Sequence, residues 1–387
     1  MSTQETKLQA ISDAIKAKLG TTDTIQASQF ASKIGEIQTG IAKPRWVQST
    51  LPATANWNSV CYGNGKFVVT SNGSNIVISS IDGINWTQGT LPTSASWSPA
   101  CYGNGKFVVI DSGGDSTVAA YSIDGINWTQ TTLPVATCWG LIYYGGGKFI
   151  AINNGMASYM HGSDALAAAY STDGITWTKT TLPSSVGQSF WISVCYGNGK
   201  FVVVSNSTGM APDKKAIYST NGINWTQIIL PTVGAWNSIC YDNNKFVTMA
   251  GDRNIAVYST DGINWTQTTL PINGGSIYYE NGKFIAINNN DNTAAYSTDG
   301  INWTQTTLPV KANWFSFCYG NGKFVVTSNG SKNVISSTDG INWTQSTLPI
   351  NANVTWISAY NNDGKFIAIA KNTNNFAYLK DCFDEWA

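Results

Sequence analysis

The chain has 387 residues, a formal net charge of zero and only 11% charged residues. That balance offers no basic stripe for a phosphate backbone, so nucleic acid is not an expected partner. The single histidine, His161, excludes His-based triads and multi-His zinc sites, and the sequence implies neither a metal nor a cofactor.

The N-terminus lacks the basic, apolar and small-residue progression of a signal peptide, and no apolar run is long enough to insert into a membrane. Leu8, Ile11, Ile15 and Leu19 fall on one face of an amphipathic helix, which Gly20 ends. A second short helix is expected from about Ser28 to Gln38, with Phe30, Ile34 and Ile37 on one side and Asp23 or Ser28 capping its start. Forty residues of helix bury little core alone. Residues 1–40 therefore read as an attachment or oligomerisation segment whose apolar faces want a partner: the following domain, a second copy of the chain, or a larger assembly. Residues 41–45 read as a linker.

From residue 46 onward the chain repeats itself. Tyr258–Pro271 has close copies beginning at Ser79, Tyr121, Tyr170, Tyr218, Tyr296 and Ser336. A second phrase, clearest at Trp57–Val69, alternates with it. Repetition at this period signals a solenoid, propeller or array. In each unit Asp-Gly marks one tight turn and Gly-Asn-Gly another, because glycine adopts a positive φ without steric cost. The turns divide the first unit into four strands: a, Trp57–Tyr62; b, Lys66–Thr70; c, about Asn75–Ser80; and d, Ile84–Leu91. Period-two spacing would put Ile263 and Trp265 on one side of their strand d. Strand b is apolar on both faces, as a strand inside stacked sheets must be.

The strand-d tryptophans are Trp46, Trp86, Trp128, Trp177, Trp225, Trp265, Trp303, Trp343 and Trp386. Nine tryptophans span eight intervals, so the expected fold is all-β: an eight-bladed β-propeller of four-stranded antiparallel blades over residues 46–387, with a small α-helical N-terminal segment. The N-terminal strand 46–51 copies strand d alone and is expected to close the last blade, leaving no unpaired edge.

The repeated Ser-Thr-Asp-Gly-Ile-Asn-Trp resembles the Asp-box, or BNR repeat, of sialidase-type propellers, shortened by one residue. With its Gly-Lys-Phe strands it is similar to repeats of phage tail and bacterial surface proteins. The run Leu8–Ile25 resembles a helical module of tail and baseplate-associated phage proteins. These likenesses imply a propeller held on a virion through residues 1–40. They imply no chemistry, since the box is a folding device.

A sialidase of that family would need three arginines to clamp its substrate carboxylate, and the chain has only Arg45 and Arg253. Its four glutamates, Glu5, Glu36, Glu280 and Glu385, do not suggest the paired carboxylates of a glycosidase. The chain therefore reads as a non-enzyme. The recurring Asp82, Asp124, Asp173, Asp261, Asp299 and Asp339 read as turn stabilisers, and Asn221 stands for them once. Calcium at these turns lacks a local set of acidic ligands. Five of the seven cysteines share one strand-a position, with Tyr143 and Tyr278 in their place elsewhere. They read as small hydrophobes, consistent with synthesis in a reducing bacterial cytoplasm.

The a–b and c–d turns are nearly uniform, whereas the d–a and b–c loops differ. The longest b–c loops run over 153–165 and 205–215. Varied loops on a rigid repeat scaffold are where recognition is usually placed. The candidate ligand contacts are Tyr159, His161, Asp164, Asp213, Lys214 and Arg253. The leading expectation is a phage tail-associated receptor-binding protein for host recognition. Its ligand would be a bacterial surface glycan or protein, with carbohydrate favoured, and residues 1–40 would join other tail proteins. A lectin-like adhesin with repeated sugar pockets between blades and a purely structural virion component stand as alternatives.

Overall fold

The computed structural model describes residues 9, 11–17, 26, 45–155, 164, 166–187, 189–206, 213–349, 356–360 and 365–380. Contacts divide the chain into two compact units, one of residues 1–47 with 379–387 and one of residues 48–378. In the first, residues 11–17 are helical, with Ile15 buried and Ile11 exposed. Asp13 accepts a hydrogen bond from Gln9 and pairs with Lys16 one turn on. Leu8, Leu19 and the expected second helix lie outside the described residues.

The rest is an all-β propeller, and it corrects the expected blade count. Its strands pair into seven sheets rather than eight. Sheet I has six strands: Trp57–Gly63, Lys66–Ser80, Thr87–Gly103, Lys106–Asp111, Ser116–Ser122 and Thr129–Thr137. Sheets II to VI begin at Trp139, Trp191, Trp236, Ser276 and Asn313 and have four strands each. Sheet VII joins Trp356–Tyr360, Phe366–Ala370 and Thr373–Lys380 to the N-terminal strand Arg45–Ala55.

The first two sequence repeats share sheet I because their connections stay extended. Thr87–Gly103 is one strand of 17 residues. Its first half pairs with Lys66–Ser80 and its second with Lys106–Asp111. Pairing continues through the loops, with Asn72 opposite Ser96 and Ser74 opposite Ala95. Strand d also starts later than the sequence suggested, at Thr87 rather than Ile84 in the first unit. In the unit that begins at Trp236 it is Thr266–Thr269, and Ile263 and Trp265 belong to the turn before it.

The core lies between successive repeats. One such layer joins Val202, Val204 and Cys195 from sheet III to Trp236, Phe246 and Val257 from sheet IV. Phe67, Phe149, Phe201, Phe246, Phe284 and Phe324 of strand b are each flanked by their own strand-a tyrosine and their own box tryptophan, as in Tyr241–Phe246 at 4.5 Å and Phe246–Trp265 at 6.3 Å. Burial of such rings is the main stabilising term, and tilted aromatic pairs add to it.

Candidate binding face

The turn that repeats most faithfully is closed by its own side chains. At Asp261, Oδ1 accepts the backbone N–H of Ile263 and Asn264 and the hydroxyl of Ser259, while Oδ2 accepts the Asn264 amide. Ser259 in turn accepts the N–H of Gly262 at 2.8 Å. The same network closes around Asp82, Asp124, Asp299 and Asp339. Around Asp173 a Thr176 N–H takes the place of the asparagine N–H. Asn221 makes the same backbone contacts through its amide oxygen.

Burial pushes the Asp82 carboxyl up, but the Asn85 and Ile84 N–H groups, then the Asn85 and Ser80 side chains, outweigh it and hold the pKa down at about 2. The other five box carboxyls are lowered for the same reason. A depressed folded-state pKa contributes stability that is present above the unfolded value, near 4, and is lost as pH falls toward the folded one. Thermal stability should therefore be flat above about pH 5 and drop between about pH 4 and 2. The triple variant D82N/D261N/D299N, following Asn221, should fold and show a shallower drop in melting scans. An unchanged acid limb would remove the boxes as its cause.

These turns form one end of the propeller. The Asn104 side chain donates to Thr172 O, Asn198 to Thr260 O and Asn243 to Thr298 O, so these three a–b turns are tied to the c–d turn of the next repeat. Lys66 donates to Asp124 O in the same way. Strand-d hydroxyls add further ties: Thr131, Thr180, Thr268 and Thr306 donate to the box carbonyls of Ile175, Ile223, Ile301 and Ile341. The repeated Asp, Asn, Ser and Thr side chains are thus engaged inside the fold, whereas the buried indole N–H groups of the box tryptophans Trp86, Trp128, Trp177, Trp225, Trp265, Trp303 and Trp343 have no hydrogen-bond partner.

The opposite end carries the varied loops. There four strand-a tryptophans clasp the preceding b–c loop: Trp139 Nε1 donates to Ser116 O, Trp314 to Asp291 O, Trp356 to Ser331 O and Trp57 to Thr373 O, whereas Trp97 donates to Thr93 O. Strand a is the innermost strand. Ser59, Ser193 and Ser238 accept the N–H of Ala100, Ile239 and Ile277 on the next strand a. Many strand-a side chains are half-buried, which suits a wall around a central opening.

Four of the six sequence candidates, Asp164, Asp213, Lys214 and Arg253, belong to this end, and no side-chain bond joins any two of Asp164, Lys214 and Arg253. Tyr159 and His161 lie outside the described residues. Asp164 pairs with Lys179 at 2.7 Å, and its carbonyl accepts the Ala167 N–H, closing the base of its loop. Asp213 pairs through its backbone with Gly234. The exposed Lys214 ammonium donates to Pro231 O. Arg253 is engaged by Asp252 at 2.8 Å, and Asp252 also accepts the Ala235 N–H.

Sequence reasoning missed the inner rim of this end. The residue that follows strand b reaches across to the second residue of the next strand a. Asn206 donates to the Asn237 side chain in this way, and Lys371 donates to Asn58 Oδ1 at 2.8 Å. The signal lay in register: Asn72, Asn154, Asn206 and Asn329 follow strand b in other repeats. Counting from each Gly-Lys-Phe places Lys371 among them.

None of the six described cysteines, Cys61, Cys101, Cys138, Cys195, Cys240 and Cys318, forms a disulfide. Burial raises the Cys101 thiol to about 12 and pushes Cys61, Cys195 and Cys240 up as well, so these thiols are poor nucleophiles. Among the described residues, no three His, Cys, Asp or Glu side chains gather as metal ligands, and no helix is long and apolar enough to cross a membrane.

Comparison with known proteins supports the class. Residues 274–387 match the family model described as the DUF6242 beta propeller domain. No curated protein matches the chain. Among solved structures, a computationally designed protein, Ika8, superposes with a TM-score of 0.65 at 9% identity, covering 86% of this chain and 98% of its own. Virginiamycin B lyase from Staphylococcus aureus gives 0.57 at 12% identity, covering 88% and 100%. YCF48 from Cyanidioschyzon merolae gives 0.54 at 11% identity, covering 88% and 99%. At these identities the likeness is one of fold: this chain is a β-propeller.

Proposed function

We propose that the protein is a non-enzymatic receptor-binding component of a phage tail, made in the bacterial cytoplasm and carried on the virion, that recognises a host surface glycan through its varied face. Residues 1–40 would attach it to other tail proteins. The observation that carries this reading is the division of labour between the two ends. Repeated side chains are spent on ties between repeats, and sequence variety is concentrated at the other end. That division also weighs against a sugar pocket at every repeat, because the polar turn side chains such pockets would share already bond within the fold and the box indole N–H groups are buried. A protein receptor would use the same face.

The test is binding of the full-length chain to whole bacteria and to a bacterial glycan array, beside a variant with residues 154–164 shortened. Binding should weaken at least tenfold while the melting temperature stays within a few degrees. Undiminished binding at many equivalent sites would move the reading to a repeated-pocket lectin. No binding to any surface would leave a structural role.

A further inference from the structure

The inner rim of the varied face carries a cation set apart from the others nearby. Where other repeats place Asn72, Asn154, Asn206 or Asn329 after strand b, the last repeat places Lys371. Its ammonium is half-buried and bonded to the amide oxygen of Asn58 at 2.8 Å. Several other charges on this face are already matched: Lys179 with Asp164, Arg253 with Asp252 and Lys311 with Asp291. Among the described residues no carboxylate pairs with Lys371. Burial alone pulls its pKa down from the usual lysine value.

The mount is rigid. Trp57 Nε1 donates to Thr373 O, the Thr373 hydroxyl donates to Ala370 O, and Asn375 N donates back to Thr373 Oγ1. Asn372 takes a left-handed φ of 60° to close the turn. The ammonium therefore sits on a junction between the last repeat and the first, and not on a loose loop. With one ammonium hydrogen on Asn58 Oδ1, two remain, and the Asn58 NH2 group lies beside them. That donor set suits anionic oxygens, because an ammonium and an amide on a fixed frame give short, charge-assisted bonds to a carboxylate or phosphate.

We propose that Lys371 and Asn58 form an anion subsite on the inner rim, which takes the acidic group of a hydroxyl-rich polymer. The saccharide part rests on the receptor-binding reading above; the anion subsite stands without it. Carboxylate and phosphodiester are the two sources of such a group.

Calorimetry on the full-length protein would compare tetragalacturonate, a glycerol phosphate oligomer and neutral maltotetraose at low and moderate salt. At least one acidic probe should bind more tightly than the neutral one, and the better of the two identifies the source. Lys371→Met should weaken that binding at least tenfold without changing the neutral probe. Asn58→Asp keeps the lysine but supplies an internal counter-charge, and should abolish acidic binding in a protein at least as heat-stable. Lys200→Met, on the opposite end, should change nothing. Equal binding of acidic and neutral probes, acidic binding that survives Lys371→Met, or no binding of either acidic probe would overturn the subsite. Cell binding retained in Lys371→Met with none of these acidic responses would sink the subsite and leave the receptor-binding reading standing. Loss of cell binding from wild type with the acidic response intact would do the reverse.

Discussion

Gly197→Ala should destabilise the propeller by about 3 kcal/mol, the upper part of the usual overpacking range, although only one methyl group is added. The glycine is not there for its backbone, since its φ is not among the positive ones. It is there because the ring of Tyr241, from the next repeat, lies where a Cβ would go. Gly63 meets Tyr102 and Gly103 meets Tyr144 in the same way, and a Cβ on Gly145 would fall 2.6 Å from that of Tyr196. Each tyrosine is also held against its own phenylalanine, Tyr241 against Phe246 at 4.5 Å, so it cannot swing away without loosening a second layer. Asp242 and Glu280 occupy the corresponding position in two later repeats, so a side chain there is not forbidden by the strand. The tyrosines of the repeats after them, Tyr279 and Tyr319, still pack on Phe284 and Phe324 at 4.6 Å, so the penalty at Gly197 belongs to how closely its own seam seats Tyr241. In urea unfolding, the double variant G197A/Y241A should lose less than the sum of its singles by about 1–3 kcal/mol, and Asp242→Ala should be nearly neutral. Strict additivity would mean the ring does not press on the glycine.

That pairing shows what the sequence made legible and what it hid. The Gly-Lys-Phe strands, box turns and strand-a tryptophans were readable because each is a local signal at a constant period. The sheet count was not. Whether Pro92–Ser96 stays extended depends on Asn72 and Ser74 accepting it as a partner, and nothing local to either segment says so. Counting tryptophans counts repeats, whereas a hydrogen-bonded sheet can hold two. The end of the fold that varies was also legible, from turn uniformity alone. The rim contact was not, because Lys371 and Asn58 are 313 residues apart and a lone lysine after a strand looks like any surface lysine. Arg253 and Asp164 attracted notice as charged loop residues, yet each is engaged by a near neighbour that neutralises it.

Phe317→Ala should cost about 3 kcal/mol, the low end for a buried phenylalanine because this ring is half-buried. Tyr278 replaces the usual strand-a cysteine, and Phe317 faces it where the other repeats carry Val60, Ala100, Ile142, Val194, Ile239 or Ile277. The two rings stack at 3.9 Å with their planes 8° apart, and Phe317 also meets Phe324 at 5.8 Å. Four other seams put a thiol against an aliphatic residue, Cys61 with Ala100, Cys101 with Ile142, Cys195 with Ile239 and Cys240 with Ile277, and Tyr143 meets Val194 in a fifth. The seam between sheets V and VI, with two rings, is therefore filled by more volume. Burial pushes the Tyr278 hydroxyl up to about 12, so it remains neutral across the physiological range and the stack is insensitive to pH there. Two large residues that match only each other predict strong coupling. Phe317→Ile alone leaves a cavity over the tyrosine, and Tyr278→Cys alone leaves one over the phenylalanine. The double variant Y278C/F317I restores the composition of the ordinary seam, Cys240 against Ile277. If repeats can close up, the double variant should be more stable than Phe317→Ala and should recover part of the loss from either single. If the ring's closure fixes the distance between sheets V and VI, the double variant should be the least stable of the four, with losses that add. Unfolding midpoints decide between an adjustable seam and one whose width is set by the rest of the propeller. Under the second outcome the aromatic pair is a spacer, and the varied face it supports is held at fixed curvature.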